Sequence, residues 1–417
     1  MILLTTEFGI IGISIAVFLI VILALVLVLL YARTKLTPQG EVKLKINDKE
    51  FDVSPGNTVL STLSAQGIFL PSACGGGGTC GMCDCQVLDG GGSILPTETG
   101  FFTRKQQQNN WRLGCQVKVR EDIVIQVPEE VLGIKKWECE VISNDNVATF
   151  IKEFVVKLPE GETLNFKSGG YAQIDVPKID VGFKDMDIKE EFRDEWDKFN
   201  MWDLKMKNPE ETYRAYSMAN HPAEGNIVML NIRIATPPWD RAKGAFANVN
   251  PGICSSYIFS RKPGDKVIVS GPYGEFFIKE TEKEMMYIGG GAGMAPLRSH
   301  IFHLFNTLET KRNVTYWYGA RSKREIFYED HFREIEKKFP NFKFNIALSE
   351  PDPEDNWTGY TGFIHQVVQD EYLSKHEEPE EIEFYLCGPP MMNDAVQKML
   401  YDLGVPDEMV DFDDFGG

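Results

Sequence analysis

Cys74, Cys80, Cys83 and Cys115 stand as C-x5-C-x2-C followed by a lone cysteine well downstream, with Gly75 to Gly78 filling the first gap. Four thiolates are the usual ligand set of a 2Fe-2S cluster, and a glycine run lets backbone wrap closely and aim N–H groups at its sulfurs. Such a cage implies electron transfer. A structural zinc site is the competing reading, but zinc ribbons usually pair two C-x2-C knuckles and only Cys80 and Cys83 form one. Eight cysteines in 417 residues is too sparse for a disulfide framework. Cys85, two residues past the knuckle, reads as a packed thiol on a strand or one beside the ligands, rather than a ligand itself.

Two further fragments have the chemistry of a flavin site. Arg214-Ala-Tyr216-Ser217 lies on a strand-like stretch, 211–218, with Arg214 and Tyr216 on one face and Ser217 on the other. A guanidinium for phosphate, a flat ring for stacking and a short hydroxyl are what a bound flavin dinucleotide needs, although an ordinary barrel strand has the same pattern. Gly252-Ile-Cys254-Ser255 precedes a helical run, 257–261, and small residues at a helix start leave N–H groups for a pyrophosphate. Gly271-Pro-Tyr-Gly274 reads as a turn closing the region.

A nucleotide site is suggested further on. The apolar strand 285–288 runs into Gly289, Gly290, Gly291, Ala292 and Gly293, then Pro296 and a helix over 297–308. A second strand, 314–319, is followed by Arg321, Lys323 and Arg324, basic side chains suited to a 2′-phosphate, which leaves NADPH open as donor. Last comes a strand ending at Cys387-Gly388-Pro-Pro390, before a helix from 391. In an open α/β sheet, ligands bind beyond such strand ends.

These residues need elements to hold them. Residues 8–32 carry no charge and are dominated by Ile, Leu and Val, enough to span a bilayer. No basic region precedes this run and no small-residue cleavage site follows it, which favours a retained anchor over a signal peptide. Arg33, Lys35, Lys43 and Lys45 follow the span and only Glu7 precedes it, so the positive-inside rule puts the N-terminus outside and the rest in the cytoplasm. The net charge of −18 disfavours nucleic acid as a partner.

The pattern predicts four regions: an anchor, 1–34; a β-grasp ferredoxin-like domain, 38–130; an antiparallel β-barrel for FAD, 135–280; and a doubly wound α/β nicotinamide-nucleotide domain, 284–417. The fold class is thus α+β and α/β multidomain. In the first globular domain, 58–66 reads as a short helix and 111–119 as the strand carrying Cys115. Within the barrel, 178–211 reads as an amphipathic helical insert with Phe192, Trp196, Phe199 and Trp202, side chains that either pack on the barrel or dock a partner.

Taken in order, R-x-Y-S, G-x-C-S, G-G-G-x-G-x-x-P and C-G-P-P resemble the ferredoxin reductase superfamily, from Glu41 onwards. With the N-terminal iron–sulfur module, the anchor and the ending Asp413-Asp-Phe415-Gly-Gly417, the chain resembles the F subunits of the bacterial sodium-translocating NADH:quinone oxidoreductases. The resemblance implies an inner-membrane, single-pass NADH dehydrogenase component that reaches quinone only through membrane partner subunits. Its cofactors would be a 2Fe-2S cluster and FAD, with NADH as substrate.

By the same resemblance, Cys74, Cys80, Cys83 and Cys115 would hold the cluster. Arg214 would pair the FAD pyrophosphate, Tyr216 would stack on the isoalloxazine, and Ser217 would bond near the flavin N5. Gly252, Cys254 and Ser255 would hold pyrophosphate through backbone groups. Gly289, Gly290, Gly291, Gly293 and Pro296 would shape the NADH site, with Cys387 and Gly388 beside the nicotinamide and Phe415 shielding the other flavin face. Ser217, Cys387 and Phe415 are the expected catalytic residues. The span has no acidic or basic residue between Glu7 and Arg33, so this chain would not itself carry sodium. The alternative is an NAD(P)H-dependent flavin and iron–sulfur reductase component of a multicomponent oxygenase, which needs no anchor.

Overall fold

The computed structural model describes residues 2–36 and 40–413. The chain forms two compact units, one made of Met1–Pro71 and Gly76–Gly133, the other of Ser72–Gly75 and Ile134–Gly417.

The first unit opens with α1 (Ile2–Leu36). Its stretch Ile13–Tyr31 is long and apolar enough to cross a membrane, and none of it is buried by protein. A helix satisfies its own backbone polar groups, which makes it one of the two structures that can lie in lipid. There follow β1 (Val42–Ile46), β2 (Lys49–Val53), α2 (Val59–Ala65), β3 (Asp84–Asp89), α3 (Arg104–Gln108), β4 (Trp111–Leu113) and β5 (Ile123–Gln126). The sheet order is β2-β1-β5-β3-β4, with β1 and β5 parallel and the other pairs antiparallel, as in a β-grasp. Leu44 and Ile46 are fully buried between exposed lysines, the alternation that fixes which face of β1 meets the core. Thr58 starts α2, its Oγ1 accepting from Ser61 N at 3.2 Å.

The second unit begins with β6 (Lys135–Ala148), β7 (Ile151–Lys157), β8 (Tyr171–Val176), β9 (Ile179–Gly182), α4 (Arg193–Lys198), β10 (Lys205–Asn208), β11 (Thr212–Ser217), β12 (Ile227–Arg233), β13 (Trp239–Asp240), β14 (Ala245–Phe246), α5 (Ile253–Phe259) and β15 (Lys266–Tyr273). Six strands pair antiparallel in the order β11-β8-β15-β6-β7-β12. A bridge between Met218 and Leu230 joins the two ends and closes the barrel.

Two expectations are corrected here. Residues 178–211 are not mainly helical: β9 and β10 pair antiparallel, and α4 has only six residues before Asn200 turns left-handed at φ 49°. Of its aromatics, Phe192 and Trp196 are buried in the barrel core while Phe199 and Trp202 pack against it. Gly271 to Tyr273 is not a turn but the end of β15, and Tyr273 stacks on Tyr171 with centroids 5.2 Å apart.

The rest is β16 (Met285–Gly290), α6 (Met294–Asn306), β17 (Val314–Ala320), α7 (Glu329–Lys338), β18 (Phe342–Leu348), β19 (Tyr360–Thr361), α8 (Ile364–Glu371), β20 (Glu383–Cys387), α9 (Pro390–Asp402) and β21 (Val410–Asp413). All six strands are parallel, in the order β19-β18-β17-β16-β20-β21. The order reverses between β16 and β20, and such a switch point opens a crevice at the strands' carboxyl ends. Pro296 is the third residue of α6 rather than its first, still within the turn whose N–H groups have no helical acceptor.

Candidate redox site

In the first unit, Cys80 is half-buried, while Cys83 and Cys115 are buried. Cys115 lies in a turn beyond β4, not on a strand as expected. Gly114 N donates to Cys83 O at 2.7 Å and Val117 N to Leu113 O at 3.1 Å, so the chain coils as soon as β4 ends. Cys115 N then donates to Cys83 Sγ at 3.4 Å, and Gln116 Nε2 to Cys115 Sγ at 3.7 Å. N–H groups aimed at sulfur are the surroundings an iron–sulfur cluster requires. Gly78 and Gly81 have φ near +75°, and a Cβ at these positions would stand 2.5 Å from Gln116 Nε2 and 2.7 Å from the Phe101 ring. The loop is therefore built for glycine, and its donor set fits a 2Fe-2S cluster.

One carboxylate that sequence reasoning missed sets the position of this turn. Glu98 and Arg112 are both buried; Arg112 Nε and Nη2 donate to Glu98 at 3.0 and 2.8 Å, and Leu113 N donates to Glu98 Oε1 at 2.8 Å. Leu113 is two residues before Cys115. Cys85 is fully buried on β3, opposite Arg112, in keeping with a packed thiol.

In the second unit, Cys74 is half-buried, and its Sγ lies 4.0 Å from Ser72 Oγ. On β11, Arg214 Nη1 donates to Tyr213 O at 2.7 Å and Thr212 Oγ1 at 3.1 Å, which uses one nitrogen of a group with five N–H donors. Tyr216 and Cys254 interact electrostatically, so the two flavin fragments come together, while the Cys254 thiol donates to Ile174 O at 3.8 Å. Burial, reinforced by that thiol, holds the Tyr216 phenol well above its ordinary value. Burial likewise pushes the Cys254 thiol up to about 12, so it is no nucleophile at neutral pH.

Helix α5 starts at Ile253, earlier than expected, which places Cys254 and Ser255 in its first turn. Their amides precede the first helical acceptor and point outward from the helix start. The Ser255 hydroxyl is already engaged, accepting from Ala235 N at 3.1 Å and donating to Gly252 O at 3.2 Å. A Cβ on Gly252 would come within 2.6 Å of Ala235 Cβ. These residues fit a diphosphate through backbone groups.

The glycine run after β16 divides into two kinds. Gly289, Gly290 and Gly293 are close-packed, and a Cβ on Gly293 would sit 2.0 Å from Cys387 O. Gly291 has φ +56° with nothing nearer to its would-be Cβ than Ile151 Cδ1 at 3.8 Å. Gly289 and Gly293 thus let the start of α6 approach the sheet, Gly290 lies against Gly319 and Met392, and Gly291 exposes backbone, the division of labour of a dinucleotide turn. Cys387 is fully buried at the end of β20, opposite Gly289, with Gly388 next in the chain.

Helix α6 also fixes the flavin strand. Arg298 Nη1 donates to Ala219 O at 2.8 Å, and Ser299 Oγ to Asn220 O at 2.8 Å. Those carbonyls lie just beyond Ser217. Ser217 Oγ in turn donates to Asp413 Oδ2 at 2.5 Å, and Asp413 is paired in register with Cys387 across β20 and β21. Ser217 is therefore tied to the strand that flanks Cys387 and the end of β20. Asp413 was not foreseen as a site residue, for it is one of several acids near the end of the chain. Phe415 lies outside the described residues.

Three family models match this architecture: the 2Fe-2S iron-sulfur cluster binding domain over residues 42–120, the oxidoreductase FAD-binding domain over 198–278, and the oxidoreductase NAD-binding domain over 287–398. The fold and site define an iron–sulfur flavoprotein of the NAD-linked reductase class. The Amycolatopsis cytochrome P450 reductase GcoB shares the fold, with a TM-score of 0.61 at 21% identity, covering 90% of this chain and 98% of its own. The ferredoxin reductase in carbazole 1,9a-dioxygenase aligns over the same shares with a TM-score of 0.59 at 26% identity. The F subunit of the Na(+)-translocating NADH-quinone reductase of Neisseria gonorrhoeae is 55% identical over 97% of this chain and 99% of its own length. This chain belongs to that family of F subunits. The oxygenase-reductase alternative shares its modules but falls far behind in identity.

Proposed function

We propose that this protein is the electron-input subunit of a sodium-translocating NADH:quinone oxidoreductase, oxidising NADH and passing electrons singly to membrane partner subunits that deliver them to quinone. When bound, FAD supplies a two-electron hydride acceptor and the 2Fe-2S cluster a one-electron carrier. The observation that carries this reading is the Ser217–Asp413 hydrogen bond, which ties the flavin strand to β21, the strand flanking β20 and its Cys387.

In this reading Cys74, Cys80, Cys83 and Cys115 hold the cluster. Arg214 and the first-turn amides of Cys254 and Ser255 hold the FAD diphosphate, and Tyr216 presents its neutral ring. Gly289, Gly290, Gly291, Gly293 and Pro296 form the floor on which NADH lies, with Cys387 and Gly388 bounding the crevice on the β20 side. Asp413 holds the Ser217 proton, fixing the hydroxyl where the flavin accepts hydride.

We assign residues 1–34 as an inner-membrane anchor with the N-terminus outside, 38–130 as the ferredoxin-like domain, 135–280 with its insert 178–211 as the FAD domain, and 284–417 as the NADH domain. The purified chain should reduce ferricyanide with NADH, and quinone only after reconstitution with membrane partner subunits. Quinone reduction by the isolated chain at the reconstituted rate contradicts the assignment.

A further inference from the structure

Strand β17 lies beside β16, so a dinucleotide whose pyrophosphate rests on the glycine turn after β16 extends its adenosine toward the end of β17. Arg321 and Arg324 follow that end, where an arginine accommodates the 2′-phosphate of NADPH. In this protein both guanidiniums are engaged elsewhere. Arg324 Nη1 and Nη2 each donate to a different oxygen of Asp194 at 2.8 Å, and Nη2 also meets the Glu191 carbonyl. Arg321 lies 3.8 Å from Glu195 and 3.5 Å from Glu325.

Asp194 and Glu195 come from α4, outside the nucleotide sheet. Their backbone is held firmly, because Trp196 is fully buried and its Nε1 donates to Thr149 O at 3.0 Å. Hydrogen bonding to Arg324 holds the Asp194 carboxyl down at about 2, so it stays charged at neutral pH.

We propose that α4 is a donor-selectivity element: Asp194 and Glu195 occupy the arginines that would hold a 2′-phosphate and place negative charge where that phosphate would lie. This rests on reading the chain as an NADH oxidase. It also gives 178–211 a task beyond packing on the barrel, and explains how the two arginines after β17 are compatible with NADH.

The test is flavin reduction by NADH and by NADPH in stopped flow, using the full-length protein in detergent. In the Asp194→Asn/Glu195→Gln double variant, kcat/KM for NADPH should rise about tenfold or more, the gain expected of one freed charge-assisted contact. NADH values should stay within about twofold of wild type, since NADH has no group there to gain the contact. Adding Arg324→Ala should abolish the gain. Asp194→Asn alone, a change at an exposed side chain, should show a smaller rise in the same direction. An NADPH value unchanged in variants that still oxidise NADH overturns the proposal, as does a gain that survives Arg324→Ala. Failure of the wild-type protein to oxidise NADH would instead overturn the reading on which it rests.

Discussion

Ser217 Oγ and Asp413 Oδ2 are 2.5 Å apart, a hydrogen bond between residues 196 positions apart in sequence. One belongs to the flavin barrel and the other to the edge strand of the nucleotide sheet. The parallel register of β20 and β21 sets Asp413 beside Cys387, so one contact connects the barrel strand β11 to the carboxyl end of the nucleotide sheet.

Removing either partner should slow hydride transfer. We expect Ser217→Ala and Asp413→Asn each to lower the rate of flavin bleaching by NADH by about a hundredfold, the scale for losing one positioned donor at a reacting centre. Stopped-flow absorbance measures it, and cluster absorbance should stay unchanged. Wild-type bleaching rates in both variants would rule out this role.

Cysteines 83 and 85 give a paired prediction. Cys83→Ala should lose the visible absorbance of the cluster while NADH still bleaches the flavin. Cys85→Ala should keep the cluster, because its thiol is packed in the sheet core opposite Arg112. A full cluster signal in the first variant, or none in the second, would show the ligand set to be wrong.

Glu98 and Arg112 form a buried pair tied to Leu113, two residues from Cys115. Glu98→Ala leaves the guanidinium buried without its partner and should destabilise the ferredoxin unit by about 3–5 kcal/mol. Urea titration of the full-length protein, followed by bleaching of cluster absorbance, reads the shift. A change below about 1 kcal/mol would place the pair among those of little consequence.

His300 is fully buried and its Nε2 donates to Phe276 O at 3.1 Å. Burial lowers it from 6.5 to about 4, so between these values the unfolded chain binds the proton and the folded chain does not. Its contribution is therefore fully present above pH 6.5 and declines as pH falls toward 4, by about 1.4 kcal/mol per pH unit. Denaturant unfolding at about pH 7 and about pH 5 should show this slope in wild type, and a shallower one in His300→Asn. Equal slopes would show that His300 carries no such linkage.

Much of this arrangement was legible in the sequence because it is local. The apolar run of α1, the C-x5-C-x2-C loop, and the strand–glycine–helix sequence at β16 each signal themselves within a dozen or so residues. What was not legible depends on partners far along the chain. Cys115 was expected on a strand because 111–119 alternates, yet Gly114 bonds to Cys83 and ends β4 after Leu113. The insert's aromatics and charges suggested a helix, but β9 and β10 are short strands that form by pairing with each other. Glu98 gave no signal and Asp413 only as part of the chain's ending, since a single carboxylate acquires its role only from the fold that sets Arg112 or Ser217 beside it.

In the proposed function, electrons from NADH reach the cluster through the flavin of this one chain. Anaerobic titration of the full-length protein with NADH, followed by visible absorbance and electron paramagnetic resonance, tests it most directly. We predict loss of the oxidised flavin absorbance together with the paramagnetic signal of a reduced 2Fe-2S cluster. Flavin bleaching with the cluster left oxidised, or protein containing no iron, would contradict the account.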